Sequence, residues 1–378
     1  MKIIFLFFLL PSLLFTQTSI RFAVIGDFGL AGSNENNVAN LVKSWNPEFV
    51  ITTGDNNYES GSSTTIDANI GQYYRSFISP YTGSYGAGDT VNRFFPCLGN
   101  HDWVASGASP YLNYFQLPSN ERYYDFVKGP VHFFSIDSDT HEPDGYRDTS
   151  KQARWLHGKL DSSSSPWKVV YFHHPPYCSG SSHGSNTAMR WDFKGWGASI
   201  VLSGHEHVYE RLEENGFPYI VNGLGGKSLY SFGTAIQGSL VRYRNNYGAQ
   251  LVEATEDSIT FTFITVANTV VDSYTLRKNP TAILSEPEST PLNFQLSQNY
   301  PNPFNPVTDI RYQLSVHSYV TLKVYTMLGV EVATLVNSYS APGVYEAVWD
   351  ATNNPSGLYF YKLTSENRTI SKGMVLMK

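Results

Sequence analysis

The sequence predicts an α/β domain followed by a small β-sandwich, and three observations support this. From Ile20 to about Val201, apolar strand-like runs alternate with helical or loop stretches. Between Phe217 and Leu276, the runs are typical of antiparallel strands. In the last part of the chain, Tyr and Val alternate with polar residues in short stretches separated by turns. Alternating strands and helices indicate an α/β domain, and regularly spaced short strands indicate a β-sandwich.

The composition limits the class of protein. The chain has 378 residues, a net charge of −6, 15% charged residues and 15% aromatic residues. This length suggests two or three domains at roughly 150 residues each, and so many aromatics with so little charge exclude a disordered chain. The acidic balance argues against a dedicated nucleic-acid-binding protein. Cys97 and Cys178 are too few for a disulfide framework, so we expect each to be a buried free thiol.

Residues 1–16 are predicted to be a signal peptide. Lys2 supplies the positive start, and Ile3–Leu10 is an unbroken apolar run that is too short for a membrane span of ~20 residues. Thr16 and Thr18 follow as small residues near the expected cleavage site. No later segment is long and apolar enough to cross a membrane. We therefore expect an exported protein with no transmembrane segment in its mature form.

Residues 19–278 are predicted to form the α/β domain. Helices are expected at Asn34–Trp45 and Thr149–Leu160, where apolar residues recur at helical spacing. The predicted central strands are apolar runs, several of them continuous as expected for strands covered on both faces. They are Arg21–Ile25, Phe49–Thr52, Arg93–Leu98, Val131–Ile136, Lys168–Phe172 and Ile200–Leu202.

The rest of the chain is predicted to hold a linker and the β-sandwich. Residues 279–291 are rich in Pro, Ser, Thr and Glu, a composition typical of an interdomain linker. Residues 292–378 carry the predicted strands Val320–Tyr325, Val344–Trp349 and Leu358–Leu363. This region contains one histidine, no cysteine and no cluster of titratable groups. We therefore expect no catalytic chemistry there.

Polar motifs follow five predicted strands of the α/β domain, at the point where each strand ends. They are Gly26-Asp27-Phe28-Gly29, Gly54-Asp55-Asn56-Asn57-Tyr58, Gly99-Asn100-His101-Asp102, His173-His174-Pro175 and Gly204-His205-Glu206-His207. Sites in open α/β sheets form at the carboxyl ends of strands. We therefore expect these residues to meet in the fold, although they are spread over about 180 positions of sequence.

The residue types in these motifs indicate a pair of metal ions. Aspartate carboxylates, an asparagine carbonyl and neutral imidazoles suit borderline divalent ions and Fe(III). Tyr58 adds a phenol, whose ordinary pKa is near 10, so a strong Lewis acid such as Fe(III) is needed to hold it ionised. Seven ligands are too many for one ion. They suit two ions that share a carboxylate, about 3.5–4 Å apart, which is an arrangement for in-line displacement at phosphorus.

The five motifs resemble those of the metallophosphoesterase superfamily, and specifically those of purple acid phosphatases. Gly54-Asp55-x-x-Tyr58 is the distinguishing motif, because many other members of the superfamily lack that tyrosine. The run from Gly204 to Arg211 is also similar to the purple phosphatase signature. The match spans roughly Ile20–Leu276 with no separate β-domain before it, so the chain resembles the small, tartrate-resistant type. The resemblance implies a four-layer α/β/β/α sandwich.

The resemblance also implies a role for each site residue. It implies two ligand sets that share Asp55: Asp27, Asp55, Tyr58 and His207 for Fe(III), and Asp55, Asn100, His173 and His205 for a divalent ion (Fe, Zn or Mn). His174 is the alternative to His173, which is preferred because the family pattern places the ligand two residues before Pro175. His101 and His183 are the implied catalytic residues. His101 would lie beside the substrate phosphate and assist charge stabilisation or leaving-group protonation.

The activity implied is that of a secreted acid phosphatase, which hydrolyses small phosphate monoesters by attack of a metal-activated hydroxide. One alternative is a phosphodiesterase or nucleotidase on the same metals, with the difference lying in loops such as Glu59–Asp67 and Ser179–Met189. An alternative from another class is a surface-displayed binding protein with a vestigial metal site.

The C-terminal region carries a second resemblance. Three features of this region resemble the sorting domain of the type IX secretion system. They are the run Asn299-Tyr300-Pro301-Asn302-Pro303-Phe304-Asn305-Pro306, then Gly329, and then Ser356-Gly357-Leu358-Tyr359. This resemblance implies the type IX machinery as a partner and passage across the outer membrane of a Gram-negative bacterium, to a secreted or cell-surface location. The alternative is an immunoglobulin-like carbohydrate-binding module.

Overall fold

The structure is a computed structural model in which the chain divides into two units on either side of the bond between residues 279 and 280. It describes residues 19–278, 294–314, 318–340, 343–365 and 368–378. The predicted signal peptide and the predicted linker lie outside the described residues.

The first unit contains thirteen described strands and five described α-helices. The strands are β1 (Ile20–Ile25), β2 (Phe49–Thr52), β3 (Phe94–Pro96), β4 (Tyr124–Lys128), β5 (Val131–Ser135), β6 (Trp167–Tyr171), β7 (Ile200–Ser203), β8 (Tyr209–Glu214), β9 (Phe217–Asn222), β10 (Ser239–Tyr243), β11 (Gly248–Ala254), β12 (Ser258–Thr265) and β13 (Val270–Arg277). The helices are α1 (Ser33–Ser44), α2 (Gln72–Tyr74), α3 (Asn100–Val104), α4 (Ser109–Tyr114) and α5 (Lys151–Ser162). Single helical turns cover Asp67–Gly71, Arg75–Phe77, Ser106–Ala108 and Thr187–Met189.

These strands form two mixed sheets. The six-stranded sheet has the order β13-β12-β11-β1-β2-β3, in which β1, β2 and β3 are parallel. The seven-stranded sheet has the order β10-β8-β9-β7-β6-β5-β4, in which β5, β6, β7 and β9 are parallel. Parallel strands end at the same edge of a sheet, so each sheet presents several carboxyl ends together.

The layers follow from the alternation of side chains along the strands. In β6, Val169 and Tyr171 pack in the same core as Phe22 of the opposite sheet, whose ring lies 5.0 Å from that of Phe133. The intervening Val170 packs in a second core with Leu156 of α5. Helix α1 covers the six-stranded sheet, where it contacts β11. The predicted four-layer α/β/β/α sandwich is therefore confirmed.

Two elements differ from the sequence interpretation. Strand β9 lies in the region predicted to be antiparallel, yet it pairs in parallel with β7 as well as antiparallel with β8. Strand β8 was not predicted, because Glu210, Arg211 and Glu213 interrupt its apolar pattern. Burial does not exclude such residues when their charges find partners, and Arg211 binds Asp272 of β13 at 2.7 Å.

The second unit is a β-sandwich. Its strands are β14 (Gln295–Leu296), β15 (Val307–Leu314), β16 (Ser318–Thr326), β17 (Glu331–Ser340), β18 (Gly343–Asp350), β19 (Gly357–Ser365) and β20 (Arg368–Leu376). They form a three-stranded sheet, β14-β15-β18, and a four-stranded sheet, β17-β16-β19-β20. Ile310 and Trp349 of the first sheet share one core with Leu322 and Tyr361 of the second. The predicted β-sandwich is therefore confirmed.

Among the described residues, no helix is both long enough and apolar enough to span a membrane.

Candidate metal centre

All seven predicted metal ligands lie at the carboxyl ends of parallel strands. Asp27 follows β1, Asp55 and Tyr58 follow β2, and Asn100 begins α3 just after β3. From the other sheet, His173 follows β6, while His205 and His207 follow β7. Asp27, Asp55, Tyr58, His173 and His207 are buried, and Asn100 and His205 are half-buried.

One cluster forms around the Tyr58 hydroxyl. It lies 3.2 Å from Asp27 Oδ1 and 3.2 Å from His207 Nε2. His207 Nε2 is in turn 3.4 Å from Asp27 Oδ1. These three side chains belong to the ligand set expected for Fe(III), and the structure brings them together.

A second cluster forms around His173 Nε2. This atom lies 3.0 Å from Asn100 Oδ1, 3.4 Å from Asp55 Oδ2 and 3.1 Å from His205 Nδ1. Asp27, Asp55 and His173 also form a group whose ligand atoms all lie within 4.8 Å of one another, which links the two clusters. The structure therefore brings together the ligands expected for the second ion.

The alternative ligand, His174, lies beside this second cluster. Its ligand atoms group with those of His173 and His205 within 4.8 Å. Its Nδ1, however, is 2.9 Å from the hydroxyl of Ser138. His173 is the member of the pair that reaches Asn100 and Asp55. The geometry thus favours His173 as the metal ligand, and His174 lies next to it.

The chemistry of the donor set fits a cation. His173 Nδ1 lies 2.8 Å from the Thr53 carbonyl, which only accepts hydrogen bonds, so Nδ1 carries a proton and Nε2 is the nitrogen that faces Asn100 and Asp55. Burial opposes a charge on His173, but the Asp55 carboxylate raises the pKa of His173 to about 10. The cluster therefore favours positive charge at its centre. Burial and the charge on His173 lower the pKa of His205, which keeps that imidazole a neutral donor.

Tyr58 fits the stronger Lewis acid of the two expected ions. Burial and the carboxylates of Asp55 and Asp27 raise the pKa of Tyr58 well above its ordinary value. A cation must therefore compete strongly for its oxygen before the proton leaves. Fe(III) has the charge that this requires.

Three candidate ligands have a left-handed backbone. Asp27, Asp55 and His205 have φ angles of 55°, 53° and 69°. This conformation is uncommon for residues with a side chain and costs of order 1–3 kcal/mol, and it clusters at functional sites. In this conformation the loops form hydrogen bonds with one another. Asp27 Oδ2 accepts from the His205 N–H, and Asp55 Oδ1 accepts from the His101 N–H, both at 2.9 Å.

Two glycines allow these loops to approach one another closely. A Cβ at Gly99 would lie 2.2 Å from Asp55 Oδ1, and a Cβ at Gly204 would lie 2.5 Å from Asp27 Oδ2. Any side chain at either position would displace a carboxylate of the site. The glycines of the sequence motifs therefore serve the packing of the ligands themselves.

The two predicted catalytic histidines lie at the rim. His101 is half-buried, and its Nε2 lies 3.9 Å from Asp55 Oδ2. Its Nδ1 donates to the Glu59 carbonyl at 2.6 Å, so Nε2 is the nitrogen that faces the centre. His183 is exposed, and its ring lies 4.2 Å from the ring of His205. Both histidines can therefore reach a molecule bound at the centre.

Two buried glutamates position the loop that carries His183. The Glu206 carboxylate accepts hydrogen bonds from the backbone N–H groups of His183 and Gly184, the latter at 2.5 Å. Glu210 accepts from the Ser179 N–H at 2.7 Å. Both glutamates therefore contact the loop that carries His183 rather than the candidate ligands.

Sequence reasoning missed a sixth strand end, the segment Asn222-Gly223-Leu224-Gly225-Gly226-Lys227-Ser228-Leu229-Tyr230 after β9. Ser228 Oγ lies 2.7 Å from His207 Nδ1, and the Tyr230 ring stacks on that imidazole at 3.9 Å. Such partners fix the orientation of a ligating histidine. The signal was available, because a glycine-rich polar run follows a predicted strand here as in the five motifs.

Several other titratable residues of the first unit have partners outside the two ligand clusters. His132 contacts Asp125 at 2.9 Å, and the His157 ring stacks on Trp196. Asp137 accepts a hydrogen bond from the Trp103 indole at 2.8 Å. Both cysteines are free and buried, as expected.

The fold and the site together define a phosphoesterase-type metal scaffold, and comparison with known proteins agrees. Residues 20–209 match the family described as calcineurin-like phosphoesterase. The chain therefore belongs to the calcineurin-like phosphoesterase family. Residues 298–377 match the secretion system C-terminal sorting domain, which confirms the second resemblance. That domain points to export or the cell surface.

The curated relatives that the chain matches include purple acid phosphatases. The chain is 29% identical to purple acid phosphatase 15 of Arabidopsis thaliana over 54% of this chain and 45% of the relative. It is 28% identical to purple acid phosphatase 17 of the same plant over 56% of this chain and 69% of the relative. Acid phosphatase type 7 of Homo sapiens is 25% identical over 51% and 48%. The chain spans about half the length of most curated relatives it matches.

Two solved structures share the fold. Purple acid phosphatase PPD1 from yellow lupin seeds aligns with a TM-score of 0.56 and 17% identity, over 70% of this chain and 55% of that one. GAP50, the anchor in the inner membrane complex of Plasmodium, aligns with a TM-score of 0.54 and 18% identity, over 69% and 89%.

We expect Asp55→Asn to abolish metal retention. The substitution keeps the shape of the side chain but removes the carboxylate proposed to bind both ions. Two metal ions per chain are expected in the wild type after dialysis and fewer than one in the variant, measured by elemental analysis.

Asp137→Asn is the matched control, because Asp137 is also buried at a strand end but binds Trp103. It should keep two ions. Retention of both ions by Asp55→Asn would contradict the shared-ligand assignment.

Proposed function

We propose that the protein is a secreted phosphomonoesterase with a binuclear metal centre. The observation that carries the proposal is the convergence of seven donor side chains from five strand ends, with Tyr58 among them. Asp27, Asp55, Tyr58 and His207 would hold Fe(III), and Asp55, Asn100, His173 and His205 would hold a divalent ion such as Fe, Zn or Mn. When bound, such ions supply an activated water at ordinary pH and neutralise charge on phosphoryl oxygens.

The chain's own side chains would complete the reaction. His101 keeps its proton at Nδ1 on the Glu59 carbonyl, so its Nε2 is available to the phosphate or, when protonated, to the leaving oxygen. His183, held by Glu206 through its backbone, would contact the phosphate from the side of His205. A small phosphorylated molecule is the substrate class that these two rim histidines suit.

Two other functions compete with this proposal. The fold alone does not separate an enzyme from a non-catalytic protein, since one structural neighbour is named an anchor. The full set of seven donors favours catalysis over a vestigial site. A phosphodiesterase would use the same donors, so the choice between the two depends on substrate.

The deciding experiment is hydrolysis by the full chain loaded with iron and zinc. We expect 4-nitrophenyl phosphate to be cleaved with a higher kcat/KM than bis(4-nitrophenyl) phosphate. A preference for the diester would replace the proposal with a phosphodiesterase. Absence of cleavage of either ester by protein holding two ions would favour a binding role.

Tyr58→Phe should remove the visible colour of the iron-loaded protein. A tyrosinate bound to Fe(III) gives a charge-transfer band, and phenylalanine keeps the ring without the oxygen. The visible spectrum is measured at equal iron content, and circular dichroism checks the fold. A colourless wild type at full iron occupancy would contradict the tyrosinate assignment.

His101→Ala should lower kcat by ~10²–10⁴-fold, the range for a positioned acid–base group, while two ions remain bound. The loss should be smaller for 4-nitrophenyl phosphate than for an alkyl phosphate, because nitrophenolate needs little protonation. His157→Ala, which removes an exposed imidazole on α5, is the control and should leave kcat unchanged. Equal losses on both substrates would limit His101 to charge stabilisation.

Deletion of residues 292–378 should leave hydrolysis nearly intact but block release from the cell. In the described residues, every candidate ligand lies in the first unit, and the deleted segment matches the sorting domain. Activity is compared in cell and medium fractions. Loss of activity in a folded truncated protein would show that the second unit contributes to the site.

A further inference from the structure

Lys227 places a positive charge at the rim of the metal centre that none of the roles above uses. Its Nζ lies 4.9 Å from the centre of the Tyr58 ring. Its backbone N–H donates to the Asp27 carbonyl at 3.1 Å, and the next residue, Ser228, contacts His207 at 2.7 Å. The backbone on which this lysine stands is therefore fixed to the candidate ligands themselves.

The partner of Lys227 is the carboxylate of Glu59, and the pair is asymmetric. The Lys227 side chain is 18% exposed, whereas that of Glu59 is 64% exposed. The Glu59 backbone carbonyl separately accepts from His101 Nδ1 at 2.6 Å. The cation is thus the fixed member of the pair. The Glu59 carboxylate can turn to solvent while its backbone keeps holding His101.

We propose that Lys227 is an anion subsite that binds a second anionic group on the leaving side of the substrate, and that Glu59 occupies it when no such substrate is bound. The inference rests on the proposed function, because His101 must lie beside the transferred phosphate. Glu59 supplies the backbone contact to His101 and the side-chain contact to Lys227, so the subsite adjoins the leaving group. The pair therefore sets the preference between leaving groups with and without a charge.

The chemistry of the pair supports this exchange. A lysine ammonium binds phosphate oxygens as a point charge, and charge-assisted contacts to phosphate are among the stronger hydrogen bonds. An ion pair with an exposed acid contributes little, so an anionic substrate group can displace Glu59. For a nucleoside diphosphate, a water oxygen bonds to the terminal phosphorus as the bond to the bridging oxygen breaks. The water loses a proton to solvent, and Lys227 neutralises the departing monophosphate.

The test compares adenosine diphosphate with adenosine monophosphate, which differ by one phosphoryl group. Lys227→Gln should lower the ratio of their kcat/KM values by about 10-fold, since it removes one charge-assisted contact. Glu59→Gln should raise the same ratio by roughly 3-fold, since it removes the weak competitor. Lys151→Gln, which breaks the exposed pair with Asp144 on the first unit, is the matched control and should leave the ratio unchanged.

Opposite shifts in the two variants support the subsite, because a merely structural ion pair would respond alike to loss of either partner. Equal shifts, or no shift, in protein that hydrolyses the monophosphate would overturn the subsite and leave the proposed function standing.

Calorimetric titration of the metal-loaded protein with pyrophosphate and with phosphate gives a readout that does not need turnover. Weaker binding of pyrophosphate alone in Lys227→Gln supports the subsite even if no ester is hydrolysed, in which case only the proposed function fails. Equal weakening of both anions would overturn the subsite.

Discussion

The site depends on one electrostatic constraint, which is that the buried ligand atoms of Asp27, Asp55 and His173 are held within 4.8 Å of one another. Asp27 and Asp55 are buried carboxylates, and Nε2 of His173 faces the Asn100 and Asp55 oxygens. Such acceptors repel one another strongly where water is excluded, and positive charge among them removes the repulsion. The raised pKa values of His173 and Tyr58 are two expressions of this constraint. The glycines that let the loops approach one another and the left-handed backbone of three ligands make this arrangement possible.

The sequence predicted most of the site because every candidate ligand directly follows a strand. Strand ends are readable from apolar runs, and topology then brings them to one edge without any knowledge of loop conformation. The features that were missed have a different origin. Lys227 and Glu59 lie on different loops and are 168 positions apart, and neither is a typical ligand. Their meeting depends on loop paths, which apolar periodicity does not encode. Strand β8 was missed because its charges are neutralised by tertiary partners such as Asp272.

Family membership and catalytic role rest on different features of this chain. The match over residues 20–209 establishes the family, and the fold occurs both in a purple acid phosphatase and in a protein named an anchor. The fold alone therefore does not decide the role of this chain, and the argument for catalysis depends on the seven donor side chains that meet at the candidate site. The second unit matches a sorting domain, which points to export or the cell surface. In the described residues, every candidate ligand lies in the first unit.

The ligands are drawn from both sheets, and each proposed set crosses the gap between them. Asp27 and Tyr58 belong to the six-stranded sheet and His207 to the seven-stranded one, while Asp55 and His173 divide in the same way. Ions bound in this manner would link the two sheets at one end of the sandwich. Protein that loses its ions outside the cell would open first at that end, where proteases cut transiently exposed backbone. The supply of metal in the surroundings would then set how long the protein survives as well as how fast it works.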